Sequence, residues 1–130
     1  MPNSTDHKFK ALPQEIVVID DEEFYQDVAQ WSLADQNLDV SIFSSTDAFF
    51  TKWLSVPKAE TPGWILVDWF GPESDVIEEG FPSNCRKLGM EGKIILWSNL
   101  RPNQDQLNGF DGFLSKGLTL NLAHLNSSLF

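Results

Sequence analysis

Ile16-Val17-Val18-Ile19 is too short for a helix and too apolar for a surface strand, and it stops at Asp20-Asp21. The same arrangement recurs along the chain. Trp64 to Val67 stops at Asp68, Lys93-Ile94-Ile95-Leu96-Trp97 stops at Ser98, and Phe110 to Ser115 runs into Lys116. Asp39-Val40-Ser41-Ile42-Phe43 alternates and reads as a further strand. Between these runs lie helical patterns. Residues 22–36 put Phe24, Val28, Trp31 and Leu33 near one face, with acids in the first turn where a helix N-terminus favours them. Ser45 or Thr46 can cap a helix from Asp47 to Ser55 whose apolar residues are Phe49, Phe50, Trp53 and Leu54. A third helical segment falls between Glu73 and Leu88, and Leu118 to Phe130 reads as a last helix. Buried strands alternating with amphipathic helices predict an α/β fold in which a parallel sheet is covered on both faces.

The chain has 130 residues, the size of one domain. Residues 1–14 read as a polar lead ending near Pro13, and residues 15–130 as the domain. A net charge of −10 repels nucleic acid phosphates and anionic membrane surfaces, and suits a divalent cation or a partner with a basic face. Neither an apolar signal-peptide core nor a run long enough to span a membrane is present, and Cys85 is the single cysteine. These features lead us to expect a soluble, cytoplasmic protein.

In doubly wound sheets, function gathers at the carboxyl ends of the strands. By that rule Asp20, Asp21, Asp68, Ser98 and Lys116 converge on one edge. Crowded carboxylates repel one another, and a hard oxygen-seeking cation such as Mg²⁺ relieves the repulsion. Phosphoryl transfer needs little beyond positioning and neutralisation of the equatorial oxygens. Asp68 can be the nucleophile, forming an aspartyl phosphate, with Mg²⁺, Lys116 and Ser98 as partners for the three oxygens.

These residues, in the segments IVVIDDEE (16–23), ILVDWFGPESD (65–75), IILWSN (94–99) and GFLSKG (112–117), resemble the receiver domain of two-component response regulators from about residue 14 to the end. The resemblance implies a flavodoxin-like sheet of strand order 2-1-3-4-5. It implies that Asp68 is the phosphoacceptor, that Asp21 ligates Mg²⁺ directly while Asp20 acts mainly through water, and that the backbone carbonyl of Trp69 is a further ligand. Ser98 and Lys116 contact the phosphoryl group, Ser98 and Phe113 form the switch pair, and Phe70 and Leu100 flank the approach of hydrolytic water. It further implies that a histidine kinase or phosphotransfer protein donates the phosphoryl group and that a downstream protein reads it, with a homodimer possible; the acidic charge argues against direct contact with nucleic acid or membrane.

Several positions depart from the family pattern. Gly71-Pro72 stands where Met-Pro is usual, and Lys116-Gly117 replaces a Lys-Pro step that is usually cis. A non-proline cis bond costs about 2.5–4 kcal/mol, so the peptide is trans or the glycine bears the strain. Phe113 lacks the hydroxyl of a tyrosine switch. The stretch from Ser98 to Lys116 is short, so the fourth helix is expected to be clipped. Bulky Phe70 and Leu100 should exclude water and prolong the phosphorylated state; Phe70→Asn should then speed decay of the adduct, and unchanged decay would refute the idea. Each site residue also has a plainer reading, as helix cap, strand-end acid, turn serine or surface lysine. Two other functions stay open: a degenerate receiver serving as a scaffold, and an aspartate-nucleophile phosphatase. The phosphatase usually needs a second acid two residues after the nucleophile, where Phe70 stands.

Overall fold

The computed structural model describes residues 15–55, 63–68 and 80–130. Five strands, β1 (Glu15–Ile19), β2 (Asp39–Phe43), β3 (Trp64–Asp68), β4 (Lys93–Ser98) and β5 (Gly112–Ser115), form one parallel sheet of order β2-β1-β3-β4-β5. Four helices accompany them among the described residues: α1 (Glu23–Ala34), α2 (Thr46–Trp53), α3 (Phe81–Lys87) and α4 (Leu122–Ser127).

Strand side chains alternate between faces, and both faces are buried. Val17, Ile19, Ile65, Val67, Ile94 and Leu96 pack with Phe49 of α2 and with Phe81 and Cys85 of α3. Their neighbours Ile16, Val18, Trp64, Leu66, Ile95 and Trp97 pack with Ala29 and Leu33 of α1 and Leu125 of α4. That is why β1, β3 and β4 read as unbroken apolar runs, and it establishes the doubly wound α/β architecture.

Local chemistry sets the helix ends. Ser45 caps α2 by accepting from the Ala48 N–H at 3.0 Å. After α3, Gly89 takes the left-handed conformation (φ 84°) while the Met90 N–H reaches back to the Cys85 carbonyl, which ends the helix.

Four expectations need correction. On α1 the buried positions are Ala29 and Leu33, with Tyr25 and Val28 packed beside them, whereas Phe24 and Trp31 are 67% and 74% exposed. On α2, Leu54 is likewise exposed. Strand β5 begins at Gly112 rather than Phe110, because the chain after α4 runs back along it. The Phe113 N–H donates to the Ser128 carbonyl and the Phe130 N–H to the Asp111 carbonyl. A Cβ at Gly112 would lie 2.5 Å from the Ser128 carbonyl oxygen, so only glycine permits this approach. The last helix covers Leu122–Ser127 alone, capped by the Asn121 side chain, and residues 128–130 shield the outer edge of β5 instead of extending it.

The fourth crossover is shorter still than the sequence suggests. Asn103 and Gln106 bond reciprocally through side chain and main chain, the arrangement that opens a helix, yet only turns follow before Gly109 at φ 91°. Trp69, Phe70, Gly71, Pro72 and the polar lead of residues 1–14 lie outside the described residues. No helix among the described residues is long and apolar enough to cross a membrane.

Candidate functional site

Strand register explains why residues far apart in sequence meet. Ile19 pairs with Val67, Asp68 with Trp97, and Ser98 with Ser115. The residue leaving β1, the last of β3, the last of β4 and the residue leaving β5 therefore stand at one level of the sheet. They are Asp20, Asp68, Ser98 and Lys116. The Asp20 N–H donates to the Phe43 carbonyl at 3.0 Å and the Lys116 N–H to the Ser98 carbonyl at 3.0 Å, which extends the ladder through the site.

Lys116 is central to the arrangement. Its Nζ lies 2.7 Å from Asp20 Oδ2 and 2.9 Å from Asp68 Oδ1, with the lysine side chain only 2% exposed. A surface lysine is thereby excluded, and the Lys116–Gly117 peptide is trans. Asp20 is fully buried; its Oδ1 accepts from the Glu22 N–H at 2.8 Å and its carbonyl from Gln26 Nε2 at 2.6 Å. Asp20 is thus more than the cap of α1. Ser98 is buried and its hydroxyl oxygen accepts from the Leu100 N–H at 3.2 Å, while the Leu100 side chain is exposed.

Burial pushes the Asp68 carboxyl up to about 6, and the negative charges of Asp20 and Glu22 add to the rise. The hydrogen bond and charge of Lys116 hold it back from rising further. Asp68 is accordingly a carboxylate for the most part at neutral pH, able to act as a nucleophile. Cys85 lies away from the site, in the core against α3, where burial pushes its thiol up to about 12 and leaves it unreactive.

Asp20, Asp21 and Asp68 offer carboxylate oxygens that all lie within 4.8 Å of one another. Two of these acids are buried with a single ammonium between them, and Asp21 is exposed at the mouth. An all-oxygen set with surplus negative charge fits a hard divalent cation. Sequence reasoning passed over Tyr25. Its ring centroid lies 3.8 Å from Lys116 Nζ, and its hydroxyl accepts from Asn99 Nδ2 at 3.2 Å. Only its place in the first turn of α1, four residues after Asp21, hinted at this. Phe113 is half-buried against the core, with the Arg101 guanidinium 5.1 Å from its ring centroid and 5.9 Å from that of Phe130.

No protein-family model and no curated protein matches the sequence. Among solved structures, the receiver domain of the histidine kinase CKI1 from Arabidopsis thaliana is 22% identical, with a TM-score of 0.68 over 98% of this chain and 95% of that one. A CheY-like receiver domain from Methylobacillus flagellatus is 18% identical, with a TM-score of 0.66 over 88% and 94%. A response regulator from Burkholderia pseudomallei, solved with a phosphorylated aspartic acid and a calcium ion, is 20% identical, with a TM-score of 0.67 over 90% of this chain and 66% of that one. The fold of this chain is that of the CheY-like response-regulator receiver domains.

Proposed function

We propose that the chain is a receiver that accepts a phosphoryl group on Asp68 from a phosphohistidine of a kinase or phosphotransfer protein and uses the change to alter its binding to another protein. The observation that carries this reading is the buried Lys116 ammonium, bonded at once to Asp20 and Asp68 at the carboxyl edge of the sheet. A lysine held there for stability alone would not need a second buried acid beside the first. In the transfer an Asp68 carboxylate oxygen attacks phosphorus, the phosphorus–nitrogen bond of the donor breaks, and the imidazole leaves with that electron pair. Lys116 holds Asp68 in place beforehand and neutralises an equatorial oxygen afterwards. The Ser98 hydroxyl, whose oxygen already accepts from Leu100, keeps its own hydrogen to donate to another equatorial oxygen.

Asp20, Asp21 and Asp68 would hold Mg²⁺, joined by the Trp69 carbonyl, and the bound ion would supply charge neutralisation for the incoming phosphoryl group. By the resemblance, Phe70 and Leu100 would limit the access of water to the acceptor. Phe113, without a hydroxyl, contributes to the switch by ring packing with Arg101 rather than by hydrogen bonding. A signalling domain of this kind turns over nothing but its own acyl phosphate. A scaffold that had lost acceptance would not be labelled at all, which gives the test. Incubation with acetyl phosphate and Mg²⁺ should add one phosphoryl group to the intact chain, and EDTA should abolish the addition. Labelling that ignores EDTA would contradict the metal assignment, and no labelling from either acetyl phosphate or a phosphorylated donor protein would favour the scaffold.

A further inference from the structure

Lys116 is followed by Gly117, so the backbone beyond it carries no side chain that could brace it. Restraint on the long, flexible lysine must come from the groups around its ammonium. Three N–H bonds leave that nitrogen. Two directions are taken by Asp20 Oδ2 and Asp68 Oδ1, at 2.7 and 2.9 Å. Two aromatic rings also face it, with the Tyr25 ring centroid at 3.8 Å and that of Trp97 at 5.0 Å. The negative face of a ring is a fitting neighbour for a desolvated cation, and tyrosine serves better than an aliphatic residue of similar bulk.

Tyr25 is itself held firmly. It meets Trp97 edge-on at 5.6 Å and Phe24 edge-on at 5.1 Å. Its hydroxyl accepts from Asn99 Nδ2 at 3.2 Å, and Asn99 directly follows Ser98. One side chain therefore touches both the lysine and the loop of the serine, although it belongs to neither strand.

We propose that Tyr25 is a positioning residue of the acceptor site: its ring face holds the Lys116 ammonium between Asp20 and Asp68, and its hydroxyl holds the loop that carries Ser98. The assignment rests on the phosphoacceptor reading. The two halves of the tyrosine have separable roles. Phenylalanine keeps the ring and loses the tie to Asn99; leucine loses both.

The test compares the native chain with Tyr25→Phe, Tyr25→Leu and Asn99→Ala in phosphoryl uptake from acetyl phosphate with Mg²⁺, followed by intact mass. Circular dichroism first establishes that each variant is folded. Tyr25→Leu should slow uptake about tenfold, the scale of a lost contact between a desolvated cation and a ring. Tyr25→Phe and Asn99→Ala should slow it alike, by about two- to threefold, the low end for one neutral hydrogen bond at an exposed site. Tyr25 is the only tyrosine, so ring-labelled tyrosine gives an unambiguous second readout without metal or phosphodonor. Its ring protons should show nuclear Overhauser contacts to the ε-methylene of Lys116. Uptake by Tyr25→Leu at the native rate, equal slowing in Tyr25→Phe and Tyr25→Leu, or absence of the ring contact would overturn the assignment while leaving the acceptor reading intact. A native chain that takes no phosphoryl group from any donor would remove both.

Discussion

Replacing Lys116 by methionine is expected to destabilise the metal-free protein at neutral pH by about 3–5 kcal/mol, the range for breaking a buried ion pair by removing one partner. Methionine retains the length of the lysine stem, so packing against Tyr25 and Trp97 changes little. What is lost is the ammonium between Asp20 and Asp68. Two buried carboxylates would then face each other uncompensated. The penalty should shrink in acid, where Asp68 becomes protonated, and under the proposed metal assignment part of it should be recovered on adding Mg²⁺, because a ligand that binds only the folded state stabilises it. Urea unfolding in EDTA, repeated with Mg²⁺, measures both effects. A loss below about 1 kcal/mol, the scale of an exposed salt bridge, would mean that the ammonium is not committed to the two acids as described.

The second large effect concerns pH. Asp68 titrates at about 6 in the folded chain against an ordinary value of 3.8. Between those values the folded state binds the proton more tightly than the unfolded state does. Stability from this group is therefore highest below about pH 4 and is lost as pH rises through 6. The shift corresponds to at most about 3 kcal/mol, at about 1.4 kcal/mol per pH unit. Other carboxylates titrate in the same window, so the informative quantity is the difference between the native chain and Asp68→Asn, both free of metal. The native chain should become progressively less stable relative to the variant as pH rises from about 4 to about 7. A difference that does not vary with pH would contradict the burial of an ionised Asp68. The strain has a functional sense. Under the proposed function, a carboxylate held against its solvation preference would be poised for a cation and a phosphoryl group, and the cost would fall on the resting state.

Strands β1, β3 and β4 were legible because each is buried on both faces and so leaves an uninterrupted apolar run, and much of the site followed because polar residues terminate those runs. Residues that depend on long-range contacts were less visible. On α1, the aromatic bulk of Phe24 and Trp31 suggested an inward face, yet the helix turns Tyr25, Val28, Ala29 and Leu33 toward the sheet and leaves those two rings in solvent. No local pattern could show that Gly112 must accept the returning chain at Ser128, which delays β5 and ends the last helix early. Tyr25 escaped notice for a related reason. Its partners Lys116 and Asn99 lie more than seventy residues away in sequence, and a lone tyrosine in an amphipathic helix reads as packing.

Lys116 shows the opposite case. Gly117 in place of proline cast doubt on its reach, but the trans peptide brings Nζ to both acids. The backbone needs no special isomer because the ammonium is fixed by its ligands.

The most direct measurement of the central claim is intact-mass spectrometry of the native chain and Asp68→Asn after parallel incubation with acetyl phosphate and Mg²⁺. One phosphoryl adduct is expected on the native chain and none on the variant. An adduct of equal yield on both would contradict that claim, because the phosphoryl group would then reside on some residue other than Asp68.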